Sequence, residues 1–255
     1  MAALFRHAGE TKRADTLDHR AADLKQRFND RYWMDDTRYY AFALQDAGRP
    51  SKAIASNPGQ LLFTGIADTD KAQQVRKRLL KDDMFCGWGI RTLAASEKAY
   101  NPLDYQLGSV WPHDNALIAL GLRRIGFTDA LEQVFTGLFE AAKNFAHYRL
   151  PEVFDGFSKG DYNRPVHYPV ACSPQAWAAG ALPLLLTAAM GLEPDAPNRV
   201  LRIHQPHLPA WLSDVTIRNL RVADATVDLR YQRPSDVTLV GVLERHGDLT
   251  VVIDY

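Results

Sequence analysis

Apolar positions recur at helical spacing through most of the chain and switch to strict alternation near its end. The first ten or so residues lack a period and read as a frayed end. From Asp15 a stripe of Leu17, Ala21, Leu24 and Phe28 predicts a helix, started by Asp15 or Thr16. Tyr39 to Leu44 alternates and runs into the turn signal DAGRP, which predicts a short hairpin over a helical body. Asn57-Pro58-Gly59 breaks the chain before the apolar segment Leu61 to Ile66. The spacing then predicts an amphipathic helix over 69–80, with Val75, Leu79 and Leu80 inward and Asp68 or Thr69 as cap. Helices are predicted over 112–125, with Pro112 in the first turn, and over 128–148, with Gly126 between them. The short connection predicts an antiparallel helical hairpin. A helix opened by Ser173 or Pro174 carries Trp177, Leu182, Leu185, Leu186 and Met190. It is apolar nearly all round and is expected to be deeply buried.

Beyond Pro194 the segments NRVLRIHQP, VTIRNLRVADATVDLRYQ, VTLVGVLERH and LTVVIDY alternate with period two between Gly, Asp, Asn and Pro. They predict a small antiparallel β-module of four or five strands, with a boundary near residue 195. The expected fold is mainly α: helical hairpins forming part of a toroid over residues 1–194, then the β-module over residues 195–255. Side chains on the loops at one end of the hairpins would form the site.

Candidate chemistry concentrates in GSVWPHDNALIALGL, Gly108 to Leu122. Trp111, His113, Asp114 and Asn115 stand side by side where a loop turns into a helix. A flat ring beside hydrogen-bonding groups suits a polyhydroxylated ligand such as a sugar. Asp114 also fits a purely structural role, complementing the helix dipole, and His113 fits a satisfied core imidazole. The loop LPEVFDGFSKGDYNRPVHYP, Leu150 to Pro169, is long enough to be functional. It carries Glu152, which reads either as a solvated or paired carboxylate or as a general base. Trp88 and Arg91 in CGWGIRTL form a further aromatic and cationic cluster, with a core anchor as the alternative for Trp88.

Lys+Arg and Asp+Glu are both 30 among 255 residues, so no basic excess points to nucleic acid or an anionic membrane surface. No run approaches the roughly 18 apolar residues of a membrane span. No apolar leader is visible near Met1, so a cytoplasmic location is expected. Cys86 and Cys172 show no metal-ligand spacing and read either as a disulfide pair or, more simply, as two buried thiols. No metal site and no cofactor are expected, because phosphate-cradling, nucleophile-elbow and zinc motifs are missing.

Taken together, CGWGIRTLA, YNPLDYQLGSVWPHDNALIALGLRRIG, LPEVFDGF and PVACSPQAWAAGALPLLL, supported by SNPGQLLFTGIA, resemble the C-terminal half of bacterial glycogen-debranching-type proteins. These are the amylo-α-1,6-glucosidase-like members of the six-hairpin (α/α)6 glycosidases. The resemblance spans roughly residues 15 to 192, and the β-tail is similar to the short sheet that follows the toroid in that family. It implies inverting hydrolysis of an α-glucosidic linkage, the α-1,6 linkage first, in an α-glucan or oligosaccharide. A carboxylic acid would protonate the leaving oxygen and a carboxylate base would activate water. The base falls in the stretch matching LPEVFDGF, which assigns it to Glu152. Trp88, Arg91, Trp111, His113, Asp114, Asn115, Tyr168, Gln175 and Trp177 fall in matching motifs and would line the sugar cavity. The family's general acid lies upstream of the matched part. The chain is therefore expected to be truncated at its N-terminus or completed by an upstream polypeptide. Half a toroid alone would expose apolar helices. A non-catalytic carbohydrate-binding or assembly module is the alternative, and Asp114 acting as substitute acid is a third reading.

Overall fold

The computed structural model describes all residues, 1–255. The N-terminal residues are helical rather than frayed. α1 (Ala2–His7) folds back on α2 (Thr11–Tyr32) across Gly9, whose φ of +81° provides the reversal. Arg6 of α1 ties the two by bonding Asp15 at 2.8 Å and Asp18 at 2.9 Å. Those partners lie outside any local window, which is why the periodicity alone begins the helix too late. A two-residue ladder, β1 (Trp33–Met34) against β2 (Tyr39–Tyr40), follows. The expected hairpin follows in its predicted place: the Phe42 N–H bonds the Ser51 carbonyl at 3.2 Å and the Ser51 N–H the Ala43 carbonyl at 2.8 Å across the turn at Asp46–Gly48, with Leu44 bridged to Pro50.

After a 3-10 turn at Asn57–Gly59 come α3 (Gln60–Thr64) and α4 (Thr69–Leu79). Val75 and Leu79 are fully buried and Leu80 is half-buried. α5 (Pro112–Arg124) and α6 (Thr128–Ala142) pack on each other across Ile125–Phe127. α6 stops six residues before the predicted end at residue 148. There the Asn144 amide turns back onto the Glu140 carbonyl, a local bond that competes with continuing the helix. α5 also packs on α3 and on α7 (Ala176–Met190). The approach to α3 is close enough that a Cβ on Gly121 would stand 2.4 Å from the Phe63 nitrogen. One cluster of 33 buried apolar residues runs through these helices, from Tyr39 to Ala189.

α7 is less buried than its composition predicts. Ala178, Ala181, Leu185 and Ala188 to Met190 are buried, but Ala176, Trp177, Ala179, Gly180 and Pro183 face solvent. Its second apolar face has no neighbour in this chain to pack on, which hydrophobicity alone does not reveal.

The C-terminal strands form two three-stranded sheets. β3 (Leu192–Asp195), β4 (Val200–His204) and β8 (Thr250–Asp254) make one; β5 (Asp214–Val222), β6 (Ala225–Gln232) and β7 (Leu239–His246) make the other. The expectation of an all-antiparallel module is corrected here, because β8 runs parallel to β4. After β7 the chain turns at Gly247 and crosses to the other sheet instead of pairing back on β7. A separate cluster of ten buried residues, including Leu201, Ile203, Val227, Leu229 and Tyr231, fills the space between the sheets. The module is fastened to α6. Trp211 stacks on Phe139 at 4.0 Å and donates to Thr136 at 2.9 Å, while Glu132 accepts from the Ala210 N–H and pairs with His207, both at 2.7 Å.

At one end of the helices the connecting loops are laced together. Antiparallel bridges run Arg91–Val110, Val110–Phe154 and Phe154–His167. They carry the loops flanking α5, α6 and α7 onto a common floor. No helix is long and apolar enough to cross a membrane.

Candidate active site

A cavity of about 720 Å³ opens at this laced end. Trp111 precedes α5, whose first turn, begun by Pro112, aims His113 and Asp114 into the cavity. Trp177, from the first turn of α7, and Glu152, from the loop after α6, complete the set. Five predicted site residues therefore converge on one space from three segments: Trp111, His113, Asp114, Glu152 and Trp177.

Glu152 is 9 % exposed and accepts two hydrogen bonds. The Tyr105 hydroxyl donates to one oxygen at 2.7 Å and the Cys172 N–H to the other at 3.2 Å. These donors, the hydroxyl first, hold the Glu152 carboxyl below the usual carboxylate range. The same bond pushes the Tyr105 phenol up to about 12, so the shared proton sits on the tyrosine oxygen. Glu152 is thus an ionised acceptor on the cavity wall at neutral pH. Tyr105 is itself set by the Trp111 ring, edge-on at 4.7 Å.

Asp114 has the opposite character. Burial pushes its carboxyl above the usual range, while bonds from Ser56 (2.7 Å) and Gln60 pull it down. Both oxygens accept from these neighbours. His113 lies flat against Trp177, with ring centroids 4.2 Å apart and 9° between planes. Burial pushes its imidazole down, so it is neutral at neutral pH, and its buried Nδ1 has no protein partner.

The remaining predicted residues do not line the cavity. Arg91 is 2 % exposed, and its guanidinium bonds the Gly156 carbonyl at 2.6 Å, the Asp82 carbonyl at 2.8 Å and Ser158 at 2.9 Å. Asn115 brackets Ile90, accepting its N–H at 2.6 Å and donating to its carbonyl at 3.0 Å. Gly89 makes room, since a Cβ there would stand 3.0 Å from the Asn115 oxygen. Trp88 is buried, with the Lys159 ammonium 4.7 Å from its ring centroid. Tyr168 leans on Tyr105 at 5.7 Å. Gln175 caps α7 by accepting the Ala178 N–H at 3.2 Å. These five residues hold loops and helix ends rather than face the cavity. Conversely, Tyr105, Ser56 and Glu97 line it although motif reading does not put them in the site. Tyr105 sits within YNPLDYQLGSVWP and Ser56 within SNPGQ, so the resembling segments contain both.

The sequence model of the mannosylglycerate hydrolase MGH1-like glycoside hydrolase domain matches residues 1–168 of the 255. The chain belongs to this glycoside hydrolase family. Solved structures agree at the level of fold. A sialidase superposes with a TM-score of 0.72 at 12% identity, over 98% of this chain and 24% of its own. A GH78 family rhamnosidase of Bacillus sp. GL1 gives 0.63 at 15%, over 99% and 24%. The GH63 mannosylglycerate hydrolase from Thermus thermophilus in complex with Tris gives 0.51 at 19%, over 61% and 35%. The chain thus spans between 24% and 35% of the length of these three structures. No curated protein matches it in sequence. Both matches at 98% and above take in the β-module as well as the helices.

The Tyr105–Glu152 bond makes a measurable prediction for any activity that depends on this carboxylate. Phenylalanine at position 105 removes the donor, and the Glu152 pKa rises toward its ordinary value. A base works deprotonated, so the acid limb of the kcat/KM profile should move to higher pH. The alkaline plateau should change far less. A pH–rate profile of Tyr105→Phe in which the acid limb stays put would show that the bond does not tune Glu152.

Proposed function

We propose that the cavity binds an α-glucan or related oligosaccharide and that Glu152 is the general base of an inverting glycosidase. The reading is carried by one observation: a carboxylate on the cavity wall kept ionised by two donors. In this mechanism Glu152 takes a proton from water as the water oxygen attacks the anomeric carbon and the leaving oxygen departs from the opposite face. Trp177 and Trp111 offer ring faces and edges to the sugar, while His113 and Asp114 bind its hydroxyls. Trp88, Arg91, Asn115, Tyr168 and Gln175 position the loops around it. The preferred bond is the α-1,6-glucosidic linkage of a debranching substrate. The family's name makes a glycoside of glycerate the competing candidate.

Asp114 is a poor proton donor in this arrangement, since both its oxygens are engaged as acceptors. We propose that the acid comes from a part of the ring outside these residues, in the same polypeptide or another, which packs on the open side and completes an (α/α)6 ring. The solvent-facing apolar side of α7 supports this reading. In the same reading residues 1–194 form the partial ring and residues 195–255 a separate β-module. The engaged Asp114 also favours the alternative, a module that binds carbohydrate without turning it over.

α-Glucosyl fluoride separates the two. Fluoride leaves with little help from an acid, so the base alone suffices for its hydrolysis. The full chain should release fluoride and form β-glucose first, as seen by proton NMR. Binding of malto-oligosaccharides without any fluoride release would leave the binding module as the function. α-Glucose as first product would exclude inversion.

A further inference from the structure

The cavity extends along a second wall, built from segments other than those that carry Glu152 and Trp177. The hairpin of residues 42–51, its continuation to Ser56 and residues 92–99 form this wall and are fixed to each other. The Ala94 N–H bonds the Ile54 carbonyl at 2.9 Å, the Ser56 N–H bonds the Thr92 carbonyl at 3.0 Å, and Ala55 is bridged to Leu93. Glu97 adds a side-chain tie. Its Oε1 accepts the Ile54 N–H at 3.0 Å, while its Oε2 takes no hydrogen bond from the protein. Phe42 and Glu97 line the cavity on this wall, with Gln106 and Leu107 beside them. Tyr39 and Tyr40, just before the hairpin, are fully buried, yet Phe42 is 51 % exposed and Leu107 38 %. Two large apolar side chains are thus turned onto the cavity instead of into the core.

We propose that this wall is a second sugar subsite. The sugar unit next to the one held at Glu152 lays its C–H face on Phe42 and Leu107 and brings its hydroxyls to Glu97 and Gln106. This rests on the reading of the cavity as a sugar site. A sugar ring carries C–H groups on its faces and hydroxyls round its edge, so it needs apolar surface and hydrogen-bonding groups side by side. The wall supplies both. The free Glu97 oxygen accepts from a hydroxyl, and the Gln106 amide both donates and accepts. Lys98, exposed between Glu97 and Ala99, adds a donor on the same loop. A wholly apolar ligand would strip water from the Glu97 carboxylate and give nothing back. Because the wall is held by its own backbone bonds, it is formed before the ligand arrives, and binding carries little ordering cost there.

Calorimetric titration of the full chain with glucose, maltose and maltotriose measures what a second unit adds. Maltose should bind at least about tenfold more tightly than glucose. Phe42→Ala removes the ring face and should cut that gain by a factor of about three to ten, the order expected of one aromatic contact. Phe42→Tyr keeps the face and should restore the gain. Both sugars are titrated into the same sample, so any loss of folded protein cancels in the ratio. Maltose that binds no better than glucose, or a gain that Phe42→Ala leaves as it was, would overturn the subsite and leave the sugar site standing. Failure of all three sugars to bind would overturn the sugar site and this inference with it.

Discussion

Glu152→Gln should slow hydrolysis of α-glucosyl fluoride by a factor of about 10² to 10⁴, the usual contribution of a positioned general base. Glutamine is close to an isostere. Its amide oxygen can still accept the Tyr105 hydroxyl, now 2.7 Å from the carboxylate. Its amide nitrogen would face the Cys172 N–H, which loses its acceptor. The cost to folding is therefore that of one strained hydrogen bond, about 1 kcal/mol. Sugar affinity should hold within a few-fold, because the amide still offers an acceptor to hydroxyls. A fall in kcat with KM nearly unchanged is the signature of a group acting in the transition state. Hydrolysis that continues at the parent rate would remove Glu152 from the chemistry.

Four residues of the cavity, Trp111, His113, Asp114 and Glu152, could be named from local sequence because each is placed by its own turn, while Trp177 entered through the family resemblance. Pro112 starts α5 and so aims His113 and Asp114; Trp111 and Trp177 flank helix starts; Glu152 follows a short loop after α6. What tunes those residues was not local. Ser56 reaches Asp114 across 58 positions of chain, Gln60 across 54, and Tyr105 reaches Glu152 across 47. No periodicity encodes such pairings. For the same reason Arg91 and Asn115 resembled ligand-binding groups: a cationic fork and a carboxamide suit loop carbonyls as well as sugar hydroxyls. Only burial and the occupied hydrogen bonds tell the two uses apart. The helical part of the fold was readable from its stripes, because burial on one face imposes them. The parallel pairing of β8 with β4 was not, because alternation marks a strand without naming its neighbour.

The role of Arg91 gives the second large effect. Methionine at position 91 keeps much of the side-chain volume and removes the guanidinium. It takes a donor from the buried Gly156 carbonyl, which keeps the Tyr100 hydroxyl at 3.0 Å, and from the Asp82 carbonyl and Ser158 hydroxyl at residues open to water. A charged donor to a buried group is worth about 1.5 to 3 kcal/mol, and only the Gly156 carbonyl is fully buried, so Arg91→Met should cost about 2 to 3 kcal/mol. The lost bonds to Gly156 and Ser158 lie in the loop that also carries Glu152. The variant should therefore loosen that loop before the helices unfold. Urea denaturation measures the stability loss, and titration at a temperature where the variant is still folded measures the sugar affinity. Reduced stability with affinity within a few-fold of the parent is expected of a clamp. A guanidinium that bound the sugar directly would reverse the pattern, with affinity lost and stability kept, because its hydrogen bonds would form only with ligand. The three bonds that Arg91 already makes within the chain argue for the clamp.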